Sequence, residues 1–469
     1  MEEQHSYKDN NGEGTSSISR FEDMIAEDAQ YFFDVGEFEV IVDHYANECD
    51  YTKALNALNF ATSQHPFSSD LLIRKAQILA ESKHPKDALE LLCQVEQSEP
   101  YNSELLATKG NILSQFRKHK EAIQAYKKAL DNELDKDDLY MCIAFEYQNL
   151  DQNAKALKYL KRAISFNPEN EIALYELAFC FEAEDKLDES TIYYQKYLDQ
   201  HPYSHAAWYN LGISYSKMAQ HQNAIDAYDF AIAIDDNFAS AYFNKAHAYA
   251  HLGRFDKAIE LYLETFKYEE PEAFTHYYIG ECYEKSGNTI SSERHYRKAI
   301  KMDPEFSDAC LAIGRVLSQT GKRDEALTYF QKAVDIEPEH SGNWMMLGDI
   351  LMDTKDYKGA TDAYQEAVSL DENNITVWLK YADTLFRSKE KAKALKVLRK
   401  GIIVNPESHQ LYYSYCSLLL QAGDKKKGYE ILEKGLLLNY KLHTILFDYY
   451  PEAKRDRVIG SLIEKYKSE

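Results

Sequence analysis

His247 and His251 stand four residues apart in a run of helical periodicity, a spacing that brings two imidazoles to one side of a helix where they could share a metal ion. Glu281, one 34-residue step after His247, would be the third donor. No general-base glutamate follows His247, so the pair is not a zinc-hydrolase helix, and the expectation is that these histidines line a groove and hold no metal or other cofactor. A Gly-rich phosphate loop ending in Gly-Lys-Ser/Thr, a Gly-x-Ser-x-Gly elbow and a His-Glu-x-x-His helix are all absent, and the chain reads as a non-enzyme. Asn210 and Asn244 offer a different chemistry. A carboxamide has two donors and one acceptor, so neighbouring asparagines can pair with the backbone of an extended peptide whatever its sequence. Tyr175, Tyr209, Phe243 and Tyr277 recur at 34-residue intervals beside them and would add contact area at low entropic cost. The competing reading of this aromatic stripe is that it packs helix on helix within a groove wall.

The elements that must position these residues are marked by proline. Pro66, Pro100, Pro168, Pro202, Pro304, Pro338 and Pro406 are separated by multiples of 34. Proline ends a helix, so a regularly recurring proline marks a regularly recurring helix end. Twelve blocks of 34 run from Val35 to Leu442 without insertion or deletion. The eighth place of a block is small (Ala76, Gly110, Gly212, Gly348, Ala382), the twentieth is small (Ala88, Ala122, Ala224, Ala360), and the twenty-fourth is often a large ring (Tyr126, Tyr228, Phe330, Tyr364). Apolar residues recur at three- and four-residue steps in each half, so each block is a pair of helices closed on small residues. The fold class expected is all-α.

The block from His205 to Phe238 carries Trp208, Leu211, Gly212, Tyr215, Ala224, Tyr228 and Ala231, and on these residues the chain resembles a tetratricopeptide repeat protein over residues 35–442. The resemblance implies a right-handed superhelical solenoid of helix-turn-helix units, with no catalytic domain. It also implies that the first helices line a concave groove faced by the second, fifth, sixth, ninth, twelfth and thirteenth places. Tyr175, Tyr209, Phe243 and Tyr277 hold the fifth place, Asn210 and Asn244 the sixth, and Phe179, His247 and Glu281 the ninth. This resembles the asparagine ladder of long peptide-binding members, at two positions only. A carboxylate clamp is hinted at by Lys109 and Asn111 and is not assigned. The function implied is a scaffold or adaptor binding a protein segment; the alternatives are a helical-repeat binder of single-stranded nucleic acid, or a regulatory subunit of a separate enzyme.

Composition bears on these alternatives. The formal net charge of −23 repels phosphates and argues against nucleic acid. The charge is uneven: from Ile375 to Leu442 thirteen Lys and Arg face six Asp and Glu, a net of +7. That asymmetry raises the expectation of a salt-sensitive head-to-tail self-association. Residues 1–20, rich in Asn, Gly and Ser, read as disordered, 21–34 as a capping helix, and 443–469 as a C-terminal capping helix that starts at Pro451. Met1-Glu2-Glu3-Gln4 lacks a basic start, no apolar run spans a bilayer, and seven cysteines are scattered without close pairs, all of which suggests a reducing, cytoplasmic setting.

Overall fold

The computed structural model describes residues 10–133 and 136–467, with side chains from residue 16 onward. Among the described residues there are helices and turns and no strand. The chain divides into two compact units, Met1–Asp236 and Asn237–Glu469, each an all-α solenoid of six hairpins. We call the first and second helices of a hairpin A and B. The A helices begin at Val35, Ser69, Ser103, Asp137, Glu171 and His205 in the first unit, and at Ala239, Ala273, Ser307, Ser341, Ile375 and His409 in the second.

Every A helix starts just after the thirty-fourth place of a block, and the residue there decides how it starts. Asp34, Ser68, Asn102, Asn170, Ser204 and Asn374 each accept a hydrogen bond from the amide three residues on. Such a cap contributes about 1 kcal/mol by satisfying one of the orphan donors of the first turn. The A helix ends with equal regularity. The fifteenth place has positive φ in all twelve blocks, from Cys49 (58°) to Gly423 (86°), although only four of the twelve are glycine. In the first hairpin the Cys49 amide donates to the Ala46 carbonyl at 2.9 Å and the Asp50 amide to the Tyr45 carbonyl at 2.8 Å. These bonds close the last turn and reverse the chain into helix B.

The hairpins close on small residues, as the pattern requires. Ala54, Ala88, Ala122, Ala224 and Ala360 at the twentieth place are fully buried. The three tryptophans hold consecutive hairpins together in one way: the indole Nε1–H of Trp208, Trp344 and Trp378 donates to the carbonyl six residues earlier, those of Pro202, Pro338 and Glu372, at 2.8, 2.8 and 2.9 Å.

The ends depart from expectation. A helix runs Asn10–Ala26 and so reaches back into the segment read as disordered, while residues 1–9 lie outside the described residues. Phe21 and Met24 from this helix, and Phe33 after it, are buried against Phe38, Ile41 and Tyr45 of the first hairpin. Phe21 meets the Phe33 and Phe60 rings edge-on at 5.9 Å each. Burial of these side chains overrides the poor helix propensity of Asn and Gly in the same stretch. At the other end Pro451 opens a 3-10 turn, Pro451–Arg455, and the final helix starts at Arg457 because Asp456 accepts from the Val458 amide at 2.9 Å. Ile459 and Ile463 of that helix cover Leu432 and Leu436.

Candidate functional site

In the first unit, Tyr175 and Phe179 lie on the helix Glu171–Ala183, and Tyr209 and Asn210 on the helix His205–Lys217. Tyr175 and Tyr209 meet edge to face at 6.1 Å, and Tyr209 also packs at 5.9 Å on Tyr228 of its own B helix. Both tyrosines are half-buried, whereas Phe179 is 57% exposed. Burial, with Glu171 adding to it, pushes the Tyr175 phenol up to about 12, so it stays a neutral hydroxyl at physiological pH. Asn210 is only 1% exposed, and its Nδ2 has no hydrogen-bond partner among the described residues. A buried amide donor left in this state costs about 1–3 kcal/mol.

In the second unit, Phe243, Asn244 and His247 lie on the helix Ala239–His251, and Tyr277 and Glu281 on the helix Ala273–Lys285. Phe243 packs edge-on against Tyr262 at 5.2 Å and Tyr278 at 5.7 Å. Tyr277 packs on Tyr296 at 5.7 Å and Phe306 at 5.1 Å, and burial, reinforced by Glu281, pushes its phenol up to about 12. Asn244 is half-buried. The fifth-place rings therefore spend much of their surface on packing within the hairpin: Tyr209, Phe243 and Tyr277 each touch the twenty-fourth-place tyrosine of their own hairpin.

The two histidines do converge, with Nε2 atoms 3.3 Å apart, and the Tyr262 hydroxyl lies 3.2 Å from His247 Nδ1. Glu281 is instead paired with Lys285 at 2.9 Å, and among the described residues no group of three His, Cys, Asp or Glu is placed to hold a metal ion. Lys109 and Asn111 are likewise engaged, Lys109 with Glu96 at 2.6 Å and Asn111 as acceptor of the Tyr126 hydroxyl at 2.8 Å.

Two exposed apolar residues lie outside the fifth and sixth places. Ile172, at the second place, and Phe145, at the ninth, are both exposed. Ile172, Tyr175 and Phe179 are spaced i, i+3, i+7 and form one apolar stripe along the helix Glu171–Ala183. The rule that selected Phe179 also selects Phe145, one block earlier on the helix Asp137–Gln148.

Family comparisons follow the same periodicity. A tetratricopeptide repeat-like domain model matches residues 43–152, and tetratricopeptide repeat models match 146–205, 205–238, 227–260, 275–306 and 307–340. The chain is a tetratricopeptide repeat protein. A further model of these repeats, described as the cytochrome c-type biogenesis protein H TPR domain, matches residues 337–438. No curated protein matches the chain. Among solved structures, a tetratricopeptide repeat protein from Parabacteroides merdae ATCC 43184 is 17% identical over 53% of this chain and 99% of its own, with a TM-score of 0.41. The APC/C hetero-tetramer Cut9-Hcn1 gives 16% identity over 79% of this chain and 87% of that one, with a TM-score of 0.39. YrrB, described as a TPR protein with an unusual peptide-binding site, gives 17% over 39% and 95%, with a TM-score of 0.34. Tandem tetratricopeptide repeats make a protein-interaction scaffold, and a fold built of them is generally non-catalytic. No helix among the described residues is long and apolar enough to cross a membrane.

Proposed function

We propose that this tetratricopeptide repeat protein is a scaffold that holds an extended segment of a partner protein against its A helices, with the contact centred in the first unit. The observation that carries this reading is the stripe of Ile172, Tyr175 and Phe179: Ile172 is 63% and Phe179 57% exposed, on a helix whose opposite face is fully buried. An apolar stripe kept in water on an ordered helix marks an interaction surface. Phe145 extends it to the preceding hairpin, and Tyr209 supports it from the following one. Asn210, buried beneath this surface, is part of its support and is not a contact residue. Phe243, Asn244, His247, Tyr277 and Glu281 hold the equivalent places in the second unit. The seven cysteines are all free thiols, which supports a reducing compartment.

The test starts from partners recovered with the tagged chain from its own cells. Titration of a recovered partner against Ile172→Ser and Phe179→Ser should show binding weakened about ten-fold or more per substitution, since each ring or branched chain buried on binding contributes roughly 1.5–3 kcal/mol. Circular dichroism should be unchanged, because both side chains are already in water. Equal affinity in wild type and the double variant would remove the stripe from the binding surface.

A further inference from the structure

The junction between the eleventh and twelfth hairpins contains two polar groups that the fold does not use. Ser408 occupies the thirty-fourth place, where Asp34, Ser68, Asn102, Asn170, Ser204 and Asn374 all cap the next helix. Ser408 makes no such bond; the Leu411 amide donates instead to its backbone carbonyl at 3.1 Å. Ser408 is 7% exposed, and its Oγ has no partner among the described residues. The adjacent His409 also leaves a buried Nε2 without a partner. Both line one cleft of about 450 Å³, walled by Ile375, Val404 and Pro406, at the N-terminus of the helix His409–Gln421.

The equivalent junction in the first unit shows what is missing. There the same Ser-His pair, Ser204 and His205, lines a cleft of about 500 Å³. Ser204 caps the Ala207 amide at 3.3 Å, and His205 Nε2 lies 3.4 Å from Oε1 of Glu171, the first residue of the preceding block. In the later junction the first place of the preceding block is Ile375, which can supply no acceptor. The carboxylate that satisfies the first histidine has no counterpart beside the second.

We propose that this cleft binds a carboxylate from another molecule, with Ser408 Oγ–H and His409 Nε2–H as donors and the positive end of the helix His409–Gln421 behind them. The surrounding two hairpins carry the +7 charge that would draw an anion, and the one carboxylate on the lining, Glu407, is exposed to solvent. Ile375, Val404 and Pro406 fit an aliphatic stem, so the occupant is the side chain of an acidic residue or the C-terminal residue of a partner. The site is independent of the A-helix stripe and stands or falls without it.

The experiment is NMR of the full chain with labelled histidines, the His409 signal being assigned by its loss in His409→Gln. Acetate should move that signal saturably, whereas chloride at equal ionic strength and neutral acetamide should not. Ser408→Ala should weaken acetate about ten-fold, as expected for a hydrogen bond to a charged group. Ile375→Glu should restore the Glu171–His205 arrangement and abolish acetate binding while leaving circular dichroism unchanged. N-acetylglycine and N-acetylglutamate α-amide then separate a terminal from a side-chain carboxylate. Movement reproduced by chloride or acetamide, no movement at decimolar acetate, or binding undiminished in Ser408→Ala or Ile375→Glu would each overturn the proposal.

Discussion

In the hairpin that begins at His205, Gly212 stands where the Tyr228 ring crosses from helix B; in the one that begins at Ile375, Ala382 faces Leu398. The same exchange runs through the molecule. All five eighth-place glycines face an aromatic ring: Gly110 with Tyr126, Gly212 with Tyr228, Gly280 with Tyr296, Gly314 with Phe330 and Gly348 with Tyr364. Where the ring is replaced by leucine, as at Leu58, Leu92, Leu160, Leu398 and Leu432, the eighth place carries Val42, Ala76, Ala144, Ala382 or Cys416. A Cβ added at Gly212 would sit 2.5 Å from Tyr228 Cε1, and one at Gly348 would sit 2.6 Å from Tyr364 Cε1. These glycines are therefore present because the ring occupies the space of a methyl group, and helix flexibility plays no part. Tyr194 and Tyr262 pair with Ala178 and Ala246; Tyr194 reaches the Leu174 carbonyl at 2.6 Å and Tyr262 lies beside His247.

The comparison is broken most directly at Gly212. On an exposed helix Gly→Ala stabilises by about 0.5–1 kcal/mol. Here the sign should reverse, with Gly212→Ala costing about 1–3 kcal/mol, because Tyr228 is almost fully buried and its ring cannot yield. Tyr228→Leu added to Gly212→Ala recreates the pairing of the hairpin at Ile375 and should recover much of that loss, a coupling of about 0.5–3 kcal/mol. An array need not unfold in two states, so the measurement is amide hydrogen exchange in the helices His205–Lys217 and His221–Ile234. Additive effects of the two substitutions would sink the paired-volume account.

The converse exchange should be milder. Ala382→Gly removes a methyl from a site where no ring waits to fill it and loses helix propensity, together about 1–2 kcal/mol, with no clash to relieve. Leu398→Tyr in the same hairpin should be tolerated only in the presence of Ala382→Gly. Exchange protection in the helices Ile375–Arg387 and Lys391–Val404 would report both.

How much of this was legible in the sequence depends on the distance over which each constraint acts. Helix starts at Val35, Ser69, Ser103 and their successors follow from the period, since small residues and prolines recur within one block. The capping role of Phe21 was readable from its amphipathic segment, but the extension of that helix back to Asn10 was not, because the Asn, Gly and Ser before Phe21 are poor helix formers. The final helix was placed from Pro451, while the operative signal was the capping residue Asp456. At the candidate residues the place in the repeat was legible and the depth of burial was not. Tyr209, Phe243 and Tyr277 sit at the predicted places, but their burial is set by twenty-fourth-place rings that only stacking brings alongside. Phe145 and Ile172 hold the ninth and second places, so the same repeat rule points to them, and their exposure is what the sequence does not give.

The smallest effect is expected where all hairpins are alike in conformation and differ only in residue type. Lys389 and Gly423 occupy the fifteenth place of consecutive blocks with φ of 68° and 86°. A left-handed conformation costs a residue with a Cβ about 1–2 kcal/mol, while glycine loses more chain entropy on folding by about 0.5–1 kcal/mol. Lys389→Gly should therefore stabilise its hairpin by about 0.5 kcal/mol, and Gly423→Ala should destabilise the next by about as much or slightly more. Nothing lies within 4 Å of a Cβ built at Gly423, so the second change reports the backbone alone, free of packing. Exchange protection at the two turns, compared in one experiment, gives the pair of signs. If Lys389→Gly loosened its turn, the lysine would be contributing a contact that outweighs the backbone term, and the turn would be set by its side chain instead of its φ.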